Sequence, residues 1–184
     1  AMHLGMLFSI GRSSQREDLV GLLLECHQRI RTFVGLAAEV GRRSELPDAE
    51  VDDACRRCER YFTEALPLHV EDEEQSLLPR LGGFDDELDR ALAAMHSQHE
   101  LHAPILQEML AACRDVRATP RDATLRERLR VSALSLAAEF EHHLAMEEAV
   151  IFPAARLLTP DAEAQAIHEL RARRQRSPQV RGSW

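Results

Sequence analysis

Four long segments of the chain carry apolar residues at alternating three- and four-residue steps, and a histidine sits in every one of those stripes. That step pattern follows one face of a helix, so each segment is expected to bury a single stripe against its neighbours. The first stripe is Val20, Leu23, His27, Ile30, Val34 and Ala37, ended by "GRRSELPD". The second is Val51, Cys55, Cys58, Phe62, Ala65, His69, Glu73 and Leu77, ended by "LGGFDD", a glycine-rich turn with an acidic start for the next helix. The third is Leu88, Leu92, Met95, His99, His102, Leu106, Met109 and Cys113, closed by "ATPRD". The fourth is Leu125, Leu129, Ser132, Leu136, Phe140, His143, Glu147 and Val150, with Pro153 near its end. Short connections between helices of similar length favour antiparallel neighbours. The sequence therefore predicts an all-α fold, an up-down-up-down antiparallel four-helix bundle over 15–158, with an N-terminal segment, 1–14, before it and a short C-terminal helical extension and basic tail, 159–184, after it. A chain of 184 residues suits one such domain with a real core.

An internal repeat sharpens the pattern. "HVEDEEQSLLP", His69 to Pro79, overlays on "HLAMEEAVIFP", His143 to Pro153, at an offset of 74 residues. At an offset of 72, His27 falls on His99, Cys26 on Gln98, Ile30 on His102 and Val34 on Leu106. The chain reads as two helical hairpins related by an approximate two-fold, each giving one lone histidine and one His-x-x-x-Glu pair. A helix sets the two members of such a pair on nearly the same face, one turn apart.

Packing alone does not account for four histidines and two glutamates on apolar stripes. An unpartnered buried carboxylate costs several kcal/mol, and two packed together repel. A pair of divalent or trivalent cations removes both difficulties, because it neutralises the carboxylates and accepts the imidazole lone pairs. Mixed imidazole and carboxylate donors suit iron, manganese or zinc, whereas thiolates would point to zinc alone or to iron–sulfur.

The doubled H-x-x-x-E-E, followed each time by two apolar residues and proline and preceded by a lone histidine on the helix before, resembles the hemerythrin-like, or HHE cation-binding, proteins. The resemblance covers roughly Arg16 to Ala155. It implies that His27, His69, Glu73, His99, His143 and Glu147 ligate two metal ions, with Glu73 and Glu147 bridging them. Classical oxygen carriers of this kind use five histidines, two of them one turn apart on the third helix, and an aspartate five residues after the last histidine. Here Glu147 follows His143 by four residues, and the third helix offers His96, His99 and His102. His99 and His102 share the apolar stripe while His96 lies about 100° round from Met95, so His102 is the candidate fifth histidine ligand. With Ile30 in its place in the first hairpin, His102 would leave one metal more open than the other. Pro104 and Pro67 are expected to bend their helices locally.

Glu74, Glu148 and His142 lie off the stripes and are expected on a solvated face, with hydrogen bonds to the ligands as the sharper alternative. Cys55 and Cys58 form a C-x-x-C, but in mid-stripe they are expected to be small core residues. Cys26 adjoins His27, and Tyr61 has no assigned role. The net charge of −8 argues against a general nucleic-acid binder. The Arg-rich end "RARRQRSPQVRGSW" is expected to be a solvated tail. No run approaches the roughly 20 apolar residues of a membrane span. The start "AMHLGMLFSIG" has neither the basic leading region nor the small-residue cleavage site of a signal peptide. The four cysteines do not form a secreted disulfide framework, so a cytoplasmic monomer or homodimer is expected.

The resemblance then implies a centre of two iron ions, carboxylate-bridged, with zinc or manganese as alternatives. Such a centre would bind or sense dioxygen or another small diatomic or peroxide ligand inside an apolar pocket. Phe62, Leu66, Leu106, Phe140 and Ile151 are candidate walls for it. The competing functions are a redox enzyme at the same centre, turning over peroxide or nitric oxide or donating iron for iron–sulfur repair, and a metal storage or sensing protein.

Overall fold

A computed structural model describes residues 18–176, which are helical apart from short connections, with no strand among them. Helix α1 spans Leu19–Arg42. Asp18 caps it by accepting the Gly21 N–H at 2.7 Å. Helix α2 runs over 48–81, α3 is Asp86–Ala118, α4 runs over 123–155 and α5 is Pro160–Arg176. Asp85 and Asp122 cap α3 and α4 in the same manner, accepting at 2.8 Å from Leu88 and from Thr124 respectively. Helices α1 to α4 contact one another in cyclic order, which is the antiparallel up-down-up-down bundle that the stripes predict. The segment 1–14 and the last residues of the basic tail lie outside the described residues.

The helices are locally widened at three places. Tyr61–Ala65 and Glu73–Leu77 in α2 and Glu147–Ile151 in α4 are π turns, each ending two residues before a proline, Pro67, Pro79 or Pro153. Proline lacks an N–H and its ring collides with the carbonyl four residues back, and a wider turn relieves both problems without ending the helix. The second and third of these turns begin at Glu73 and Glu147, so the repeat copies the backbone around its carboxylates along with the sequence. Helix α3, by contrast, stays α-helical through Pro104.

The apolar core is divided. One cluster is built on Val34, Val40, Phe62, Met109, Val116, Leu129 and Leu136. The other is built on Leu23, Leu77, Leu81, Leu92, Met95, Ile151 and Phe152. Along every bundle helix the histidine of the stripe falls between residues of the first cluster and residues of the second, so the polar residues form one layer across the bundle. Cys55, Cys58 and Cys113 are buried in the first cluster as free thiols, the core role expected of Cys55 and Cys58. Near the end of that cluster α1 and α4 approach closely at Gly41, where an added Cβ would stand 2.5 Å from the backbone nitrogen of Arg130.

Within helix α5, Arg173 and Arg174 depart from the reading of the basic end as a solvated tail, while Arg171, Gln175 and Arg176 are exposed. Ala166, Leu170 and Arg173 of this helix are buried, one turn apart, against the bundle. Arg173 Nη1 and Arg174 Nη2 donate to the two oxygens of buried Asp72 at 2.8 and 2.6 Å, and Arg173 Nη2 donates to Ser76 Oγ at 2.8 Å. A charge run reads as solvated from composition alone. Here the helix continues far enough to place its guanidiniums opposite a buried carboxylate, which must be paired to be tolerated.

Candidate metal centre

Four of the five stripe histidines, His27, His69, His99 and His143, and both stripe glutamates meet in the layer between the two apolar clusters. Their donor atoms form two groups, His27, His69, Glu73 and Glu147 in one and Glu73, His99, His143 and Glu147 in the other. The glutamates belong to both. Glu73 Oε1 lies 3.1 Å from His69 Nε2 and 3.8 Å from His27 Nε2, while its Oε2 lies 3.1 Å from His99 Nε2. Glu147 mirrors this, with Oε2 3.1 Å from His27 Nε2 and Oε1 3.0 Å from His143 Nε2. Each carboxylate thus presents one oxygen to each side.

These close approaches are not hydrogen bonds. His27 Nε2, His69 Nε2, His99 Nε2 and both oxygens of Glu73 and of Glu147 are buried without a hydrogen-bond partner. So many orphaned donors and acceptors converging on two points would be a heavy cost in a metal-free interior. Two ligands about 2.1 Å from one ion and at a right angle stand about 3 Å apart, which is the spacing found here. The residues present fit a pair of cations.

The outward ring nitrogens show how the inward ones are aimed. His27 Nδ1–H donates to Glu148 Oε1 at 2.8 Å, His99 Nδ1–H to Glu74 Oε1 at 2.9 Å and His143 Nδ1–H to Gln98 Oε1 at 2.7 Å. Each bond keeps the proton on Nδ1 and turns the Nε2 lone pair inward. Beside His69 stands the Cys26 side chain, although His69 Nδ1 has no hydrogen-bond partner. The four outer residues obey the repeat, Glu148 with Glu74 and Gln98 with Cys26, but only three of them hold an imidazole by a hydrogen bond. Glu74 and Glu148 are therefore not the merely solvated residues that their helical angle predicts, whereas His142 is exposed as expected. Gln98 escaped sequence reasoning, whereas Cys26 was noted there for adjoining His27; both precede a lone histidine by one residue.

The electrostatics follow from burial among opposite charges. Burial opposes charge on His27, but Glu147 and Glu73 outweigh it and raise the imidazole to about 9. Burial likewise opposes charge on Glu73, yet the surrounding His69, His27 and His99 hold it well below the usual carboxylate range. At Cys26 burial works against a thiolate, and contact with His69 and Arg174 still lowers the thiol. His102 moves the other way, to about 4, because burial and the neighbouring His143 and His99 all disfavour its charge.

His102 does not join either donor group. Its ring stands edge-on to His143 and to Phe140, at centroid distances of 5.1 and 5.0 Å, so the fifth-histidine expectation is not matched by this arrangement. It lines instead a cavity of about 240 Å³ whose walls include Phe62, Leu66, Leu106 and Phe140. Those are four of the five wall residues expected. Ile151 is the exception, packed in the second apolar cluster on the far side of the polar layer. Tyr61, unassigned from sequence, stacks on Phe33 with ring centroids 4.4 Å apart and donates to the Cys26 carbonyl at 3.4 Å.

A bundle whose facing helices project paired imidazoles and shared carboxylates into one buried layer belongs to the class of cation-binding helical proteins. The family model of the hemerythrin HHE cation binding domain matches residues 18–155, and the chain belongs to that family. No curated protein matches it. Among the described residues no helix is long and apolar enough to cross a membrane.

Proposed function

We propose that the chain holds two iron ions in this layer and uses them to bind or sense dioxygen or a related diatomic or peroxide ligand. His27 and His69 would hold one ion and His99 and His143 the other, with Glu73 and Glu147 shared between them. The observation that carries the reading is the sharing of each carboxylate, one oxygen to the His27 and His69 side and one to the His99 and His143 side. When bound, the iron pair supplies electrons and an open coordination position for a small ligand. The chain supplies the rest. Glu148, Glu74 and Gln98 hold the imidazole tautomers, the two apolar clusters keep bulk water from the layer, and the cavity beside His102 leaves one approach open. His102 stays outside the ligand set.

The test is metal analysis of protein made in iron-replete cells, joined to visible spectra taken while the reduced protein is cycled through oxygen. Two irons per chain and a reversible absorption change are expected. One metal per chain would end the dinuclear reading, and two metals without any redox signature would leave a storage or structural role. Steady turnover of peroxide or nitric oxide would instead make the same centre an enzyme.

A further inference from the structure

The repeat that relates the two hairpins also relates two seams of the bundle, α1 against α4 and α2 against α3, and the two are not closed alike. Across the first, Arg31 donates through Nε and Nη2 to Glu141 at 2.9 and 3.0 Å, and through Nη1 to Glu148 at 2.9 Å. This fork of charge-assisted bonds covers the outside of His27. Shifted by the repeat, Arg31 falls on Ala103 and Glu141 falls on Pro67. Neither can form an ion pair. Both are exposed, and both line the cavity of about 240 Å³ between α2 and α3. The opening therefore lies where the clamp of the other seam is missing.

The shape and chemistry of this space describe its guest. A diatomic would leave most of it empty, since a water takes about 30 Å³ and an apolar cavity of about 150 Å³ already admits benzene. No lysine, arginine or carboxylate lines it, so a charged body would go unpaired. Its inner end is formed by His69, His99, His102 and His143. Of these His102 is 6% exposed and its Nδ1 has no hydrogen-bond partner; His69 Nδ1 lacks one as well but lies beside Cys26, so apart from the Nε2 atoms of the donor groups the unmet polar contact left for a guest is that of His102.

We infer that this cavity binds a neutral organic molecule about the size of a substituted benzene, apolar except for one hydrogen-bonding group that meets His102. The guest lies directly beside the paired donor groups, so the ligand chemistry of the centre includes an organic compound. The inference rests on the metal reading only for what happens to that guest, because the chain alone forms the cavity.

Fluorine NMR of the full metal-free chain, titrated with fluorobenzene and with 4-fluorobenzyl alcohol, tests it. Saturable binding of both is expected, with the alcohol tighter. The double variant Ala103→Arg with Pro67→Glu installs the clamp of the other seam at two exposed positions and should weaken both probes by about tenfold or more. Leu106→Trp, which fills the space from within, should do the same should the double variant misfold. His102→Phe should remove only the preference for the alcohol. In protein shown by metal analysis to hold Mn(II), the bound fluorine should relax faster than in the Zn(II) form. Absence of saturable binding, or binding untouched by the filling variants, overturns the proposal; so does manganese-loaded protein that binds the probe without faster relaxation. A chain that binds the probes as expected but takes up no metal supports the cavity and defeats the metal reading alone.

Discussion

The α1–α4 seam and the α2–α3 seam follow one repeated plan, and they keep it among the inner donors and their Glu148 and Glu74 partners while differing at the surface clamp. Inward, each hairpin, α1 with α2 and α3 with α4, sets two imidazole Nε2 atoms against one oxygen from Glu73 and one from Glu147, so both seams are lined alike. At the surface, Arg31 and Glu141 on one seam correspond by the repeat to Ala103 and Pro67 on the other, and beneath them buried Ile30 corresponds to His102. The contrast teaches where change is tolerated. An inner donor replaced on one side leaves its partners desolvated and unpaired, at a cost of several kcal/mol. An exposed ion pair contributes about 1 kcal/mol or less, so its loss is cheap and opens access to the layer.

The inner symmetry breaks hardest at a shared carboxylate. Glu73→Ala removes an oxygen from both donor groups, so the metal content should fall on both sides, whereas His99→Ala should lower it on one. Metal analysis of the two variants distinguishes them, and equal losses would contradict the sharing. A pH titration of the metal-free protein probes the same layer without metal. His27 is raised from 6.5 to about 9 by its carboxylates, so its share of the stability is complete below about 6.5 and is lost as the pH rises through about 9. On the order of 3 kcal/mol is at stake, and denaturant melts across that window should show the decline. Bound metal should abolish it, because the metal takes the Nε2 lone pair.

The closed seam can be strained directly. Gly41→Ala drives a methyl into the α4 backbone at Arg130 and should cost about 1–3 kcal/mol in thermal or denaturant unfolding. The position that the repeat aligns with it, Cys113, already carries a side chain and should accept Ala with a smaller loss. Of the outer partners, Glu148→Gln and Glu74→Gln should each weaken metal binding by about 10–100-fold. The smallest effect is expected at Arg31→Ala, with about 0.2–1 kcal/mol lost from a partly exposed pair. That variant should also open the α1–α4 seam to the fluorinated probes, and a seam that stays closed would show that packing, not the clamp, seals it.

The sequence by itself determined the helices, their order and the six residues of the polar layer. Helical periodicity and a doubled motif are properties of the chain, and burying such a layer twice admits few other meanings. The Arg-rich end misled because a run of charges carries no sign of what it will face, and Asp72 is distant in sequence. Glu74 and Glu148 stayed open between a solvated face and hydrogen bonds to the ligands, because helical angle alone says which way a side chain leaves its own helix, not which imidazole arrives from the next. Only the tertiary structure decided those outer contacts, the place of His102 outside both donor groups and the opening of one seam but not the other. Each depends on side chains from different helices meeting, and that register is set by the packing of the whole bundle.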